Sequence, residues 1–132
     1  MGLFQQDYRI AETFDPVADA VIACSETLAF TRTLPTDFFR LILSSPPYNI
    51  GKAYERQVPI EQYLEEMQPL LAELARVLAD NGSLCWQVGN HVNDGEIYPL
   101  DMFFYHRFKA LGLQLRNRIV WHFDHGLHGN SN

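Results

Sequence analysis

Basic residues are scarce in this 132-residue chain: 10 Lys and Arg stand against 16 Asp and Glu, a formal net charge of −6. That balance argues against a protein whose whole surface grips nucleic acid. There are only two cysteines, Cys24 and Cys85, far apart and outside any metal-ligand spacing, so a reduced, cytoplasmic setting is expected. No apolar run approaches the ~18–20 residues that a bilayer span needs. The opening stretch, MGLFQQDYRI, has no basic segment leading into a hydrophobic one, which excludes a secretory signal of the usual kind. The eight glycines form no Gly-x-Gly turn after a strand, the usual cradle for a nucleotide-like cofactor. Internal repeats and low-complexity tracts are absent as well.

What is present is an ordinary globular balance, 47% apolar and 20% charged, in a chain long enough for one compact domain. The charge is uneven. Residues 101–132 hold Arg107, Lys109, Arg116 and Arg118 against Asp101 and Asp124, a local +2, which leaves −8 on residues 1–100. The C-terminal stretch is therefore the plausible side for a phosphate backbone.

Along the chain, residues 1–20 read as a loosely patterned arm, and residues 21–132 as one folded unit. Val21 to Cys24 suggests a short buried strand, with Ser25 as N-cap of a helix over Glu26 to Thr33. Leu41-Ile42-Leu43 reads as a strand covered on both faces, ending at Ser44-Ser45-Pro46-Pro47. From Ile60 to Leu78 the apolar positions follow helical spacing, with Pro69 expected to kink or split the helix and Asn81-Gly82 to stop it. Leu84 to Val88 reads as a strand, His91 to Tyr98 as a loop, and Pro99 as the opening of a second helix that Gly112 stops. Its buried stripe is Leu100, Phe103, Phe104, Phe108 and Leu111. Alternation from Leu113 to Phe123 predicts a final strand. Strands alternating with helices predict an α/β fold with a mostly parallel sheet and flanking helices, in which ligands gather at the carboxyl ends of strands. Ser-Pro-Pro-Tyr lies at such an end.

Those four residues carry a specific chemistry. The lone pair of an exocyclic base amine is conjugated into the ring, which makes the nitrogen a poor nucleophile. Two fixed acceptors, one for each amino hydrogen, localise it. Ser45 Oγ supplies a side-chain acceptor and the Pro46 carbonyl a backbone one. Proline aims that carbonyl rigidly and removes competing donors. Tyr48 offers a stacking platform for a base flipped from the duplex, and Asn49 a polar contact at the rim. The bland alternative is a double proline that merely caps a strand; a chance match to the four-residue pattern arises in roughly one chain of this length in a few hundred.

A longer stretch shifts that balance. LILSSPPYNIGKAYE, then a helix ending RVLADNGSL and the strand LCWQV, resembles the catalytic region of the DNA methyltransferases that modify base amino groups. RNRIVWHFDHGLHG resembles the strand and loop that follow it in restriction-modification enzymes. The resemblance implies a partial Rossmann-like methyltransferase sheet, S-adenosylmethionine as cofactor and double-stranded DNA as partner. It implies Ser45, Pro46, Pro47 and Tyr48 as the catalytic tetrad, with Ser45 also facing the cofactor. Tyr48, Asn49, Lys52, Arg116 and Arg118 would face DNA. A serine in first place favours cytosine as the target while leaving adenine open. The family's cofactor-binding glycine turn and its target-recognition region have no counterpart here. The chain is accordingly expected to be a catalytic-region fragment that stops before both, with an exposed sheet edge prone to self-association.

Other readings are weaker. His122, His125 and His128 recur every three residues but straddle a strand end and a loop, so no metal site is expected. Ser-Pro-Pro-Tyr abuts an apolar strand, unlike an exposed peptide ligand of a proline-binding domain. Enzymes methylating glutamine side chains or RNA bases usually begin the tetrad with asparagine. The competitor from another class is a non-catalytic remnant that keeps the fold and weak DNA binding.

Overall fold

The computed structural model describes residues 8–122. Its elements run β1 (Ile10–Ala11), β2 (Ala20–Val21), α1 (Thr27–Thr31), β3 (Phe39–Ser44), α2 (Ile60–Val77), β4 (Leu78–Trp86), β5 (Asn90–Asn93), β6 (Glu96–Pro99) and α3 (Leu100–Ala110). The fold is mixed α/β. Instead of one mostly parallel sheet, the described residues form three two-stranded ones: β1 with β2 and β3 with β4 in parallel, and β5 with β6 antiparallel. No helix among the described residues is long and apolar enough to cross a membrane.

The core is built by α2 and α3. Ile60, Tyr63, Leu64 and Leu71 from α2 meet Leu100 and Phe104 from α3, with Tyr48, Trp86, Phe103, Phe108 and Leu111 packed around them. Phe104 is the centre: the Tyr63 and Trp86 rings both meet it edge-on, at 6.0 and 5.4 Å between centroids. The stripe expected on α3 is therefore the one that packs. Gly112 ends that helix with φ +88°, while Leu113 N reaches back to the Phe108 carbonyl.

Several expectations are corrected. Pro69 neither splits nor ends α2, which runs unbroken over 18 residues. Pro69 and Glu65 both lie on the exposed face, so the carbonyl that loses its donor faces water. The helix stops at Val77, before Asn81-Gly82, and those two residues lie inside β4. There the register jumps from Phe39↔Leu78 to Leu41↔Ser83, so β4 carries extra residues in a bulge. A Cβ on Gly82 would stand 2.8 Å from the Ala79 and Phe39 carbonyl oxygens; the glycine permits that close approach.

The cap of α1 is Glu26 rather than Ser25. Its carboxylate accepts from Leu28 N at 2.9 Å and Ala29 N at 2.7 Å, so the longer side chain satisfies two orphan donors at once. Part of the N-terminal arm is tied down, with β1 paired to β2. The expected strand at Val21–Cys24 is realised only at its first residue, and Ile22 is exposed. β3 is not covered on both faces, since Leu41 and Leu43 are 61% and 75% exposed. The expected loop from His91 to Tyr98 is a hairpin. Asp94 (φ +49°) and Gly95 (φ +79°) form its turn, with the left-handed pair of angles that matches strand twist. Residues 113–122 form no strand; no neighbouring strand among the described residues completes a ladder with them, and Ile119, Val120 and Trp121 are exposed.

Candidate active site

β3 delivers Ser45 to the carboxyl end of its sheet. Ser44 pairs with Trp86, and Gln87 N donates to the Ser44 carbonyl at 2.9 Å, so the sheet holds the chain up to the residue before the tetrad. Pro46 is then buried and Pro47 exposed. Tyr63, rooted in the core of α2, donates its hydroxyl to the Pro47 carbonyl. Burial, and after it the charges of Glu55 and Tyr48, hold the Tyr63 hydroxyl well above the usual phenol range, so it remains a donor. Among the described residues no donor reaches the Pro46 carbonyl. Of the two adjacent proline carbonyls, the one at Pro47 is fixed by the core.

Tyr48 turns back over this corner. Its hydroxyl lies 2.8 Å from Ser45 Oγ. One ring edge rests on Gly89, where a Cβ would come within 3.2 Å of Cδ2. Gly89, the residue after the expected strand Leu84 to Val88, thus gives the ring its seat.

Asn49 follows with φ +59° and is 1% exposed. Asn tolerates this left-handed backbone better than most residues. Its Nδ2 donates to the Val58 carbonyl at 2.7 Å and its Oδ1 accepts from Val58 N at 2.8 Å. Asn49 is therefore an internal brace whose side chain turns inward onto Val58 rather than standing at the rim. Two further groups hold the same turn. Glu55 accepts from the backbone N–H of Asn49 at 2.8 Å, Ile50 at 3.0 Å and Lys52 at 3.2 Å. His91 on β5, 2% exposed, places Nδ1 2.7 Å from the Asn49 carbonyl; a carbonyl only accepts, so Nδ1 carries the proton. Nothing local in the sequence marks Glu55, Tyr63 or His91, because each acts across a loop whose path the sequence does not spell out.

The result is an open cleft of about 350 Å³ lined by Ser45, Pro46, Pro47, Tyr48 and Tyr54. All four expected tetrad residues meet there. Tyr54, 76% exposed, is an addition that the sequence offered only as an aromatic in the loop. Lys52 is exposed on that loop. Arg116 and Arg118 do not line the cleft. Among the described residues Arg116 reaches Gln114, at 3.4 Å, and Arg118 forms an ion pair with Asp101 at 2.7 Å, which neutralises part of the basic stretch. No group of three metal-ligating side chains occurs among the described residues. His125 and His128 lie outside them, with Phe123.

The cleft thus joins a serine hydroxyl, two prolines and two tyrosine rings at the end of β3. Residues 39–132 match the DNA methylase family. The chain is 42% identical over 106 residues to the Type II methyltransferase M.BglII of Bacillus subtilis, covering 80% of this chain and 29% of that protein. It is 24% identical over 120 residues to the Type II methyltransferase M.ScaI of Streptomyces caespitosus, covering 89% of this chain and 38% of the relative. To the Type II methyltransferase M.MjaVI of Methanocaldococcus jannaschii it is 30% identical over 91 residues, 67% of this chain and 47% of that one. The chain thus spans less than half the length of each of these three relatives.

Proposed function

The chain belongs to the DNA methylase family, and from that premise we propose that its Ser45–Tyr48 corner receives the exocyclic amino group of a cytosine or adenine flipped out of double-stranded DNA. The observation that supports this reading is the cleft itself, which Ser45 and Pro46 line together with Tyr48 and Tyr54 while Tyr63 engages the neighbouring Pro47 carbonyl. Each acceptor takes one amino hydrogen. The nitrogen lone pair is thereby drawn out of conjugation and becomes a nucleophile, and the acceptors are already in place before the base arrives. Tyr48 and Tyr54 hold the base by stacking, which offsets the stacking lost on flipping.

S-adenosylmethionine, the donor that the family implies, supplies an electrophilic methyl group when bound. The residues present fit the amine side of that chemistry better than the donor side: Ser45 borders the cleft, but no Gly-x-Gly turn follows a strand. What this chain contributes is acceptance and orientation of the amine. On this reading residues 21–132 are the catalytic-region part of a cytoplasmic methyltransferase with a Rossmann-like sheet, and residues 1–20 lead into it. Lys52 and Arg116 supply phosphate contacts. Open edges on β3 and β4, beside the exposed Leu41 and Leu43, favour self-association. The second reading is a non-catalytic unit that keeps the fold and weak DNA binding.

Methyl transfer from labelled S-adenosylmethionine to duplex DNA separates the two. Ser45→Ala is expected to lower the transfer rate by about 10²–10³-fold, the loss seen when one preorganised hydrogen-bonding partner is removed. DNA binding without transfer, indifferent to Ser45→Ala, identifies the non-catalytic unit.

A further inference from the structure

We infer that the Tyr48 hydroxyl accepts the proton of Ser45, and so turns the Ser45 lone pairs toward the amino group of a stacked base. This rests on the reading of the cleft as a base-amine site and assigns Tyr48 a second, positioning role beside stacking.

A serine hydroxyl is both donor and acceptor. As an acceptor for an amino hydrogen it is effective only when its own proton points elsewhere; a proton aimed at the amine would meet another proton. Ser45 therefore needs a place for that proton that survives the exclusion of water by the base. Its only hydrogen-bond partner among the described residues is Tyr48 Oη, at 2.8 Å, the usual separation for O–H···O. That oxygen is held in place. The Tyr48 ring rests on Gly89 and packs against the α2–α3 core, and Asn49, the next residue, is pinned by Glu55, Val58 and His91.

A Ser45 proton bound to Tyr48 Oη is unavailable to the amine and leaves the Ser45 lone pairs to accept from it. A phenylalanine would stack equally well but would leave the proton free to face the amine. A carboxylate at position 45 has no proton above its titration range and needs no such partner.

The test is a double-mutant cycle on the purified chain, with 2′-deoxycytidine and its N4,N4-dimethyl derivative as probes, and the deoxyadenosine pair alongside. The readout is the ratio of affinities for the amino and dimethylamino nucleosides, measured by calorimetry or NMR titration. Tyr48→Phe is expected to lower that ratio about tenfold, the worth of one hydrogen bond. In the Ser45→Asp background, the same change is expected to leave the ratio within about twofold. A fall of equal size in both backgrounds, or none in either, overturns the inference. A wild-type chain that binds the nucleosides without discriminating against dimethylation overturns the base-amine reading, and this inference with it.

Discussion

At the residue scale, the chemistry of the corner depends on how few groups are left free. Of the polar groups around the turn, the Pro47 carbonyl, the Asn49 amide and the Asn49 carbonyl are all engaged by partners from elsewhere in the chain. Ser45 meets Tyr48 at 2.8 Å, and on the proposed reading it and Pro46 are the groups that a base amine would meet. Asn49→Ala is expected to destabilise the fold by about 3 kcal/mol, since it strands both backbone groups of Val58 and keeps a left-handed φ that alanine resists. Urea unfolding measures this, and a loss under 1 kcal/mol would show that the brace is dispensable. The tetrad was legible in the sequence because its chemistry sits in four consecutive residues. The inward turn of Asn49 was not, since its partner Val58 lies nine residues on, and a polar residue after an aromatic reads equally well as a rim contact.

At the scale of elements, two glycines separate steric crowding from backbone strain. Gly82 is walled by two backbone oxygens at 2.8 Å, whereas Gly95 has nothing within 4 Å and only a φ of +79° to respect. Gly95→Ala is expected to cost about 1 kcal/mol through strain alone, and Gly82→Ala more, about 2–3 kcal/mol, by prising β3 from β4. Reversal of that order in chemical denaturation would contradict the bulge. A further prediction concerns α1. Hydrogen bonds from Leu28 and Ala29 N–H hold the Glu26 carboxyl below its usual range, so folding is favoured by the charged form. The contribution is complete above the ordinary glutamate pKa and is lost as pH falls through the lowered one. The stability gap between wild type and Glu26→Gln is therefore expected to be present at neutral pH and to close in acid; a gap constant with pH contradicts this cap. Helical stripes were legible because burial imposes their spacing, and α3 packs as its pattern indicates. The Asp-Gly turn of β5–β6 was written plainly but is short of flanking alternation. The period-two pattern from Leu113 was legible yet forms no strand, because a strand also needs a neighbour.

At the scale of the whole molecule, the α2–α3 core is well formed while β3 keeps one face open, with Leu41 and Leu43 exposed. Exposed apolar strands of this kind pair with whatever is available. Concentration-dependent association is expected in sedimentation velocity, and Leu43→Lys is expected to shift it toward monomer. A sedimentation coefficient that does not change on dilution contradicts the expectation. The chain's balance is acidic, and the pairing of Arg118 with Asp101 offsets part of its basic C-terminal stretch. DNA affinity is accordingly expected to be weak and to fall steeply with salt.

The most direct measurement is the chemical identity of the product. Duplex DNA is incubated with the purified protein and S-adenosylmethionine, digested to nucleosides and analysed by mass spectrometry. The account predicts a methyl group on an exocyclic amine, as N4-methyldeoxycytidine or N6-methyldeoxyadenosine, and its loss in Ser45→Ala. A methyl group on a ring carbon, or an amine product whose yield is indifferent to Ser45→Ala, would contradict the role assigned to the Ser45–Tyr48 corner.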